Sequence, residues 1–126
     1  MYGEQIKELG EMRVLILEDD KARQRAFKQS FIGDIVEIAE TASEVIRLLS
    51  SNTWDELYLD HDLGEEQMQE SGPGTGYEAA KWLRDNPDRA PRHVFIHSYN
   101  PVGARNMKEQ IPYAVLVPGI WNVKSR

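Results

Sequence analysis

The chain has 126 residues, a formal net charge of −6 and no cysteine. This length suits one domain with a single core, and we predict that domain over residues 1–126, with its core at about 12–118. The missing cysteines exclude disulfides, thiolate catalysis and cysteine-ligated zinc. The acidic balance argues against binding of long nucleic acid through many phosphate contacts. No apolar run approaches the roughly 20 residues of a membrane span, and the amino terminus lacks a signal-peptide pattern. We therefore expect a cytoplasmic protein with no membrane partner.

Predicted strands and helices alternate along the chain. Strands are predicted at 13–17, 35–39, 94–96 and 113–117, and the segment 54–59 leads into a further strand. The first of these is an uninterrupted apolar run, which is typical of a buried parallel strand. Amphipathic spacing predicts helices at 2–11, 21–31, 42–50, 77–84 and 101–111. The segment 65–76 is polar and rich in glycine, so we predict a long loop there that acts as a flexible lid.

Two predicted helices begin at capping residues. Thr41 is followed three residues later by Glu44, which is a capping-box pattern. Asn100 directly precedes Pro101, and this pair favours an N-cap followed by the first helical residue. Together with the alternation of elements, these signals predict an α/β fold with a doubly wound, five-stranded parallel sheet.

Polar clusters follow three of the predicted strands. They are Glu18, Asp19 and Asp20 after the first strand, Asp60, His61 and Asp62 after the third, and His97, Ser98 and Asn100 after the fourth. Right-handed crossovers place the carboxyl ends of parallel strands on one rim of the sheet. Because open α/β sheets bind ligands beyond those ends, the sequence predicts an active site at this rim.

These clusters resemble those of a response-regulator receiver domain over about 12–118. In receivers, acids after the first strand and a central aspartate hold Mg²⁺, the aspartate accepts a phosphoryl group, and a hydroxyl contacts that group. The resemblance implies the flavodoxin-like receiver topology. It also implies Glu18, Asp19, Asp60 and the neighbourhood of Asp62 as metal ligands, and Ser98 as the hydroxyl.

Three features depart from the receiver pattern. Receivers carry a lysine at the end of the fifth strand, and this chain has none there. The residues after 118 are too few for a full fifth helix, and His61 and His97 are histidines that a receiver does not require. A missing helix predicts an exposed apolar surface, which a second copy of the chain or the amino-terminal segment would cover. The first alternative predicts a homodimer through this surface. The apolar residues in question are Tyr113, Val115, Ile120 and Trp121.

Two motifs resemble a narrower family, the cyclic-phosphate processing receiver-like domains. They are Leu59-Asp60-His61-Asp62-Leu63-Gly64 and His97-Ser98-Tyr99-Asn100-Pro101-Val102-Gly103, the second followed by Met107. The resemblance implies metal-dependent hydrolysis of a cyclic phosphate. The small phosphorylated ligand would be a cyclic nucleotide or the cyclic-phosphate end of an RNA.

The residues at the rim suit this chemistry. A divalent cation lowers the pKa of bound water and polarises a phosphoryl oxygen, and carboxylates suit Mg²⁺ or Mn²⁺. Histidine titrates near neutral pH, so we predict that His61 and His97 divide the base and acid roles. We predict that Ser98, the helix capped by Asn100, and Arg105 bind the substrate phosphate.

Each assignment has a structural alternative. Acids favour a helix start without any metal, and His61 faces away from its neighbours if the strand continues. The alternative for His97 is a buried structural histidine bonded to a carbonyl. For Asn100 the alternative is a helix cap, for Arg105 a solvated surface residue, and for Met107 a core residue. Two alternatives concern the whole protein: a degenerate, non-phosphorylated receiver that binds a protein or ligand, and a working receiver with Asp60 as phosphoacceptor.

Overall fold

The computed structural model describes residues 11–60, 74–98 and 100–117. Strands and helices follow one another there in the predicted order. The elements are β1 (Arg13–Leu17), α1 (Lys21–Ser30), β2 (Ile35–Ala39), α2 (Ala42–Ser51), β3 (Glu56–Leu59), α3 (Gly76–Asp85), β4 (His93–Ile96), α4 (Pro101–Gln110) and β5 (Val115–Leu116), with a 3₁₀ helix (Pro87–Arg89) before β4. The predicted amino-terminal helix and most of the predicted lid lie outside the described residues.

The five strands form one parallel sheet in the order β2-β1-β3-β4-β5, which confirms the predicted fold class. The register aligns the strand ends. Leu17 lies opposite both Ala39 and Leu59, and Leu59 lies opposite Ile96. The residues that follow β1, β3 and β4 therefore leave the sheet at the same level of the rim.

The fifth strand is shorter than predicted. Val115 and Leu116 pair with β4 and the N–H of Val117 donates to the carbonyl of Ile96 at 2.8 Å, whereas the prediction began the strand at Tyr113. The backbone N–H of Ala114 donates to the carbonyl of Ile111 at 2.9 Å, so the chain turns there before it enters the sheet. The apolar pattern of 113–117 does not distinguish a turn from a strand.

The capping predictions are confirmed. The side chain of Thr41 accepts from the N–H of Glu44, and that of Asn100 accepts from the N–H of Gly103 at 3.0 Å. The Glu44 carboxylate reaches back to the N–H of Glu40 at 3.0 Å, one residue before the cap. Each helix start therefore has side-chain partners for backbone donors that the helix itself leaves unpaired.

Helices cover both faces of the sheet. On one face, Phe27 of α1 and Phe31, the C-cap of that helix, pack on Val14, Ile16 and Tyr58, all of them buried. On the other face, α2, α3 and α4 cover the alternate strand residues. The buried side chains of that face include Leu15, Leu57, Val45, Leu49, Ala79, Leu83 and Met107.

Apolar surface is exposed at the β5 edge, as predicted. Tyr113, Val115 and Leu116 are 51%, 53% and 50% exposed. Ile120 and Trp121 lie outside the described residues, as do the positions on which the prediction of a missing fifth helix rests. The homodimer through this region stays a prediction. Within 11–60, 74–98 and 100–117, no helix has the length and apolar character needed to cross a membrane.

Candidate metal and phosphate site

Three buried polar side chains meet at the carboxyl rim of the sheet. Glu18 follows β1, Asp60 follows β3 and His97 follows β4, and they are 0%, 5% and 4% exposed. Backbone bonds continue the sheet register at this level, because Asp60 N–H donates to Leu17 and His97 N–H donates to Leu59. One ligand atom from each of the three side chains lies within 4.8 Å of the others. Three inner strands thus bring together groups that are 79 residues apart in sequence.

The carboxylate of Glu18 is held by three hydrogen bonds. Its Oε1 accepts from Arg23 Nε and pairs with His97 Nε2, both at 3.0 Å, and its Oε2 accepts from the backbone N–H of Asp20 at 3.0 Å. Burial by itself raises the pKa of Glu18, but the bonds from His97, Arg23 and Asp20 outweigh it, so that the pKa lies below its ordinary value. Glu18 is therefore a buried, ionised carboxylate in a fixed orientation.

His97 is enclosed by aromatic rings. The imidazole lies 5.0 Å from the ring of Phe27 and 6.4 Å from that of Tyr58, measured between centroids. Burial lowers the pKa of His97 below its ordinary value and prevails over the opposing effect of Glu18. The hydrogen-bond network then assigns the single proton of the neutral ring to Nε2, which donates to Glu18. Its Nδ1 has no hydrogen-bond partner among the described residues.

Arg23 joins the cluster from the first turn of α1. The side chain of Asp20, the N-cap of α1, accepts from the N–H of Arg23 at 2.9 Å. The guanidinium donates through Nε to Glu18, and its Nη2 lies 4.0 Å from Oδ2 of Asp60. Sequence reasoning missed this residue. The available signal was that Arg23 follows the capping residue Asp20 by three positions. An arginine at that position lies in the first turn of a helix that begins next to the rim.

The remaining predicted substrate residues lie around the start of α4. Ser98 Oγ accepts from the backbone N–H of Asn100 at 3.1 Å, and Asn100 is buried as the cap of α4. Arg105 is exposed and lines a groove of about 680 Å³ together with Ser98. The groove runs between α4 and β5. The other residues that line it are Ile96, Pro101, Ala104, Lys108, Glu109, Pro112, Leu116 and Val117.

The structure gathers part of the predicted metal set. Glu18 and Asp60 belong to the three-residue cluster, whereas Asp19 is partly buried beside it and is not a member. His97, predicted as an acid or base, supplies the third group. His61 and Asp62 lie outside the described residues, so the roles given to them stay predictions, as does metal ligation by Asp19.

The donor set fits a hard divalent cation. Two buried carboxylates supply oxygen atoms, the donors that Mg²⁺ and Mn²⁺ prefer, and the imidazole of His97 completes the cluster by donating its Nε2 proton to Glu18. The chain matches the family model described as the cyclic-phosphate processing receiver domain over residues 13–112. The chain belongs to this family. A search of curated proteins finds no match.

Solved structures of response regulators share the fold of this cyclic-phosphate processing receiver domain. The Mn²⁺-bound form of the response regulator Rcp1 is 16% identical with a TM-score of 0.70, over 90% of both chains. The phosphorylated cyanobacterial phytochrome response regulator RcpA is 15% identical with a TM-score of 0.73, over 92% of this chain and 91% of that one. TrrA from Thermotoga maritima, in complex with Mg²⁺-BeF, is 17% identical with a TM-score of 0.64, over 84% and 86%.

Proposed function

We propose that this domain is a metal-dependent phosphodiesterase that hydrolyses a cyclic phosphate at the carboxyl rim of its sheet. The observation that carries the proposal is the cluster of Glu18, Asp60 and His97, whose ligand atoms lie within 4.8 Å of one another in a buried position. The substrate class is a small phosphorylated ligand, either a cyclic nucleotide or the cyclic-phosphate end of an RNA. The family description supports this class.

A divalent cation, Mg²⁺ or Mn²⁺, would be held by Glu18 and Asp60, with Asp19 and Asp62 as further candidates. When bound it supplies an activated water and neutralises charge on the phosphoryl oxygens. His97 keeps Glu18 in place through the 3.0 Å bond from Nε2, which is the usual arrangement for an outer group that orients a metal ligand. In this proposal Glu18 and Asp60 are the metal ligands, and His97 is the group that orients Glu18.

Substrate oxygens would be received beside the cation. Ser98 leaves the end of β4 and its hydroxyl carries a proton that can be donated to a phosphoryl oxygen. The N-terminus of α4, a ten-residue helix capped by Asn100, favours an anion. In the reaction, the oxygen of water forms a new P–O bond, one ring P–O bond breaks, and one proton of that water passes to the leaving alkoxide. We assign the transfer of that proton to His61, because His97 is buried against Glu18.

The direct test is turnover of a panel of 2′,3′- and 3′,5′-cyclic nucleotides with Mg²⁺ or Mn²⁺, followed by ³¹P NMR. We expect a monoester product, and we expect Asp60→Asn and Glu18→Gln to abolish its formation. Asp88→Asn serves as the control, because Asp88 is an exposed acid in the 3₁₀ helix. Activity that survives Asp60→Asn would contradict the proposed site, and a wild-type protein inactive on every substrate would contradict the proposed reaction.

The second candidate is a receiver module without catalysis. The ion pairs that Arg23 makes with Glu18 and Asp60 favour it, because the two carboxylates already have an internal cation. The test distinguishes the candidates. No turnover together with a stable acyl-phosphate on Asp60 would identify a working phosphoacceptor. If the protein shows neither turnover nor an acyl-phosphate, it is a module that binds a protein or ligand.

A further inference from the structure

We propose that Arg23 is the phosphate-binding cation of this site, held by Glu18 and Asp60 until a divalent cation neutralises these two carboxylates. The inference rests on the proposed metal site and adds the group that recognises the substrate's charge. Arg23 Nε lies 3.0 Å from Glu18 Oε1, and Nη2 lies 4.0 Å from Asp60 Oδ2. The guanidinium therefore lies against the same oxygen atoms that would hold the metal.

The position of Arg23 between buried acids and solvent supports this role. Its side chain is 27% exposed, whereas those of Glu18 and Asp60 are 0% and 7% exposed. A ligand that approaches the rim from solvent therefore meets the guanidinium before it meets the carboxylates. The backbone of Arg23 is fixed by the side chain of Asp20, so the guanidinium can change partners without movement of α1.

When only Glu18, Asp60, the divalent cation and Arg23 are counted, charge balance favours a singly charged phosphate. Without a metal, the two carboxylates repel any phosphate. A divalent cation balances them, and the single charge of the guanidinium then balances the single negative charge of a cyclic phosphodiester. The planar fork of arginine also matches two phosphate oxygens at once, which a lysine ammonium does not.

The sequence places no lysine between Leu116 and Gly119 at the end of the fifth strand. In the described part of the chain, the ammonium group of Lys108 is engaged locally, because its Nζ donates to the carbonyls of Pro112 and Ala114. Arg23, by contrast, pairs with both buried acids. These contacts favour Arg23 over Lys108 as the cation that reaches a bound phosphate.

The test compares Arg23→Gln, Arg23→Lys and the control Arg25→Gln, since Arg25 is an exposed residue of the same helix. Electron paramagnetic resonance of free Mn²⁺ gives the metal affinity, and calorimetry with Mg²⁺-loaded protein gives the affinity for inorganic phosphate. Removal of a nearby positive charge should tighten Mn²⁺ binding severalfold in Arg23→Gln. Loss of a charge-assisted hydrogen bond should weaken phosphate binding by about tenfold or more. Arg25→Gln should match the wild type in both measurements.

Arg23→Lys keeps the charge but not the fork, so it should bind Mn²⁺ like the wild type and phosphate severalfold more weakly. This variant decides the question if Arg23→Gln does not fold, which circular dichroism reports. Weaker Mn²⁺ binding with unchanged phosphate binding in Arg23→Gln would show that Arg23 only positions Glu18, and would overturn the inference. A wild-type protein that binds no Mn²⁺ would instead overturn the proposed metal site itself.

Discussion

The hydrogen bond between His97 and Glu18 should contribute measurably to stability, and a double-mutant cycle isolates it. The two side chains are 1% and 0% exposed and their atoms lie 3.0 Å apart, so solvent does not screen the interaction. A hydrogen bond to a charged group contributes about 1.5–3 kcal/mol, and we expect a coupling free energy of about 2 kcal/mol here. For a domain of this size that corresponds to a shift in Tm of roughly 8 °C.

The cycle uses His97→Phe, which retains a flat ring beside Phe27, Glu18→Leu, which removes the acceptor, and the double variant. Urea unfolding in EDTA, followed by circular dichroism, gives the free energy of unfolding of each protein. His93→Phe is the matched control, because His93 is an exposed residue at the other end of β4; it should change stability by less than about 0.5 kcal/mol. A coupling free energy near zero would refute the reasoning, because it would mean that His97 does not hold Glu18.

Three further predictions follow from the same contacts. In EDTA, the free energy of unfolding should fall as the pH drops below about 6.5, the ordinary pKa of histidine. Burial lowers the pKa of His97 in the folded protein, so the unfolded chain binds a proton there before the folded protein does. Stability should fall again below about pH 4.5, because the pKa of Glu18 is lowered in the folded protein and the unfolded chain is protonated there first. Urea midpoints that stay constant between pH 7.5 and pH 4 would contradict both pH effects. Asn100→Ala should cost about 1 kcal/mol by loss of the α4 cap, measured by thermal unfolding, whereas Asn100→Asp should be nearly neutral. Phe27→Ala should cost about 3–5 kcal/mol, since Phe27 is fully buried; a urea midpoint like that of Phe27→Leu would show that α1 packs less tightly than described.

The sheet was predictable because apolar runs and caps are local signals. The run at Arg13–Leu17 is a strand of the same bounds, and Thr41 and Asn100 begin helices as predicted. The start of β5 was not predictable, because Tyr113 has the same apolar character as Val115. What separates them is the turn that follows α4, in which Lys108 donates to the carbonyls of Pro112 and Ala114, and the apolar pattern contains no sign of that turn.

The position of the candidate site in the fold was predictable, whereas the hydrogen bonds among its residues were less so. Glu18, Asp60 and His97 follow neighbouring inner strands, so the topology alone brings them together. Their partners were not predictable, because the bond from His97 to Glu18 depends on how the ring fits beside Phe27. Arg23 was overlooked because a charged residue in an amphipathic helix usually indicates a solvated face.

The strand order has a consequence for how the domain opens. Glu18, Asp60 and His97 follow β1, β3 and β4, whereas the edge strands β2 and β5 contribute none of them. Edge segments open most readily in native proteins, and central strands exchange their amide hydrogens only on near-global unfolding. The frame of the site should therefore persist while β5, with only two paired residues, frays. A partner that captured the frayed edge would leave the buried carboxylates where they are.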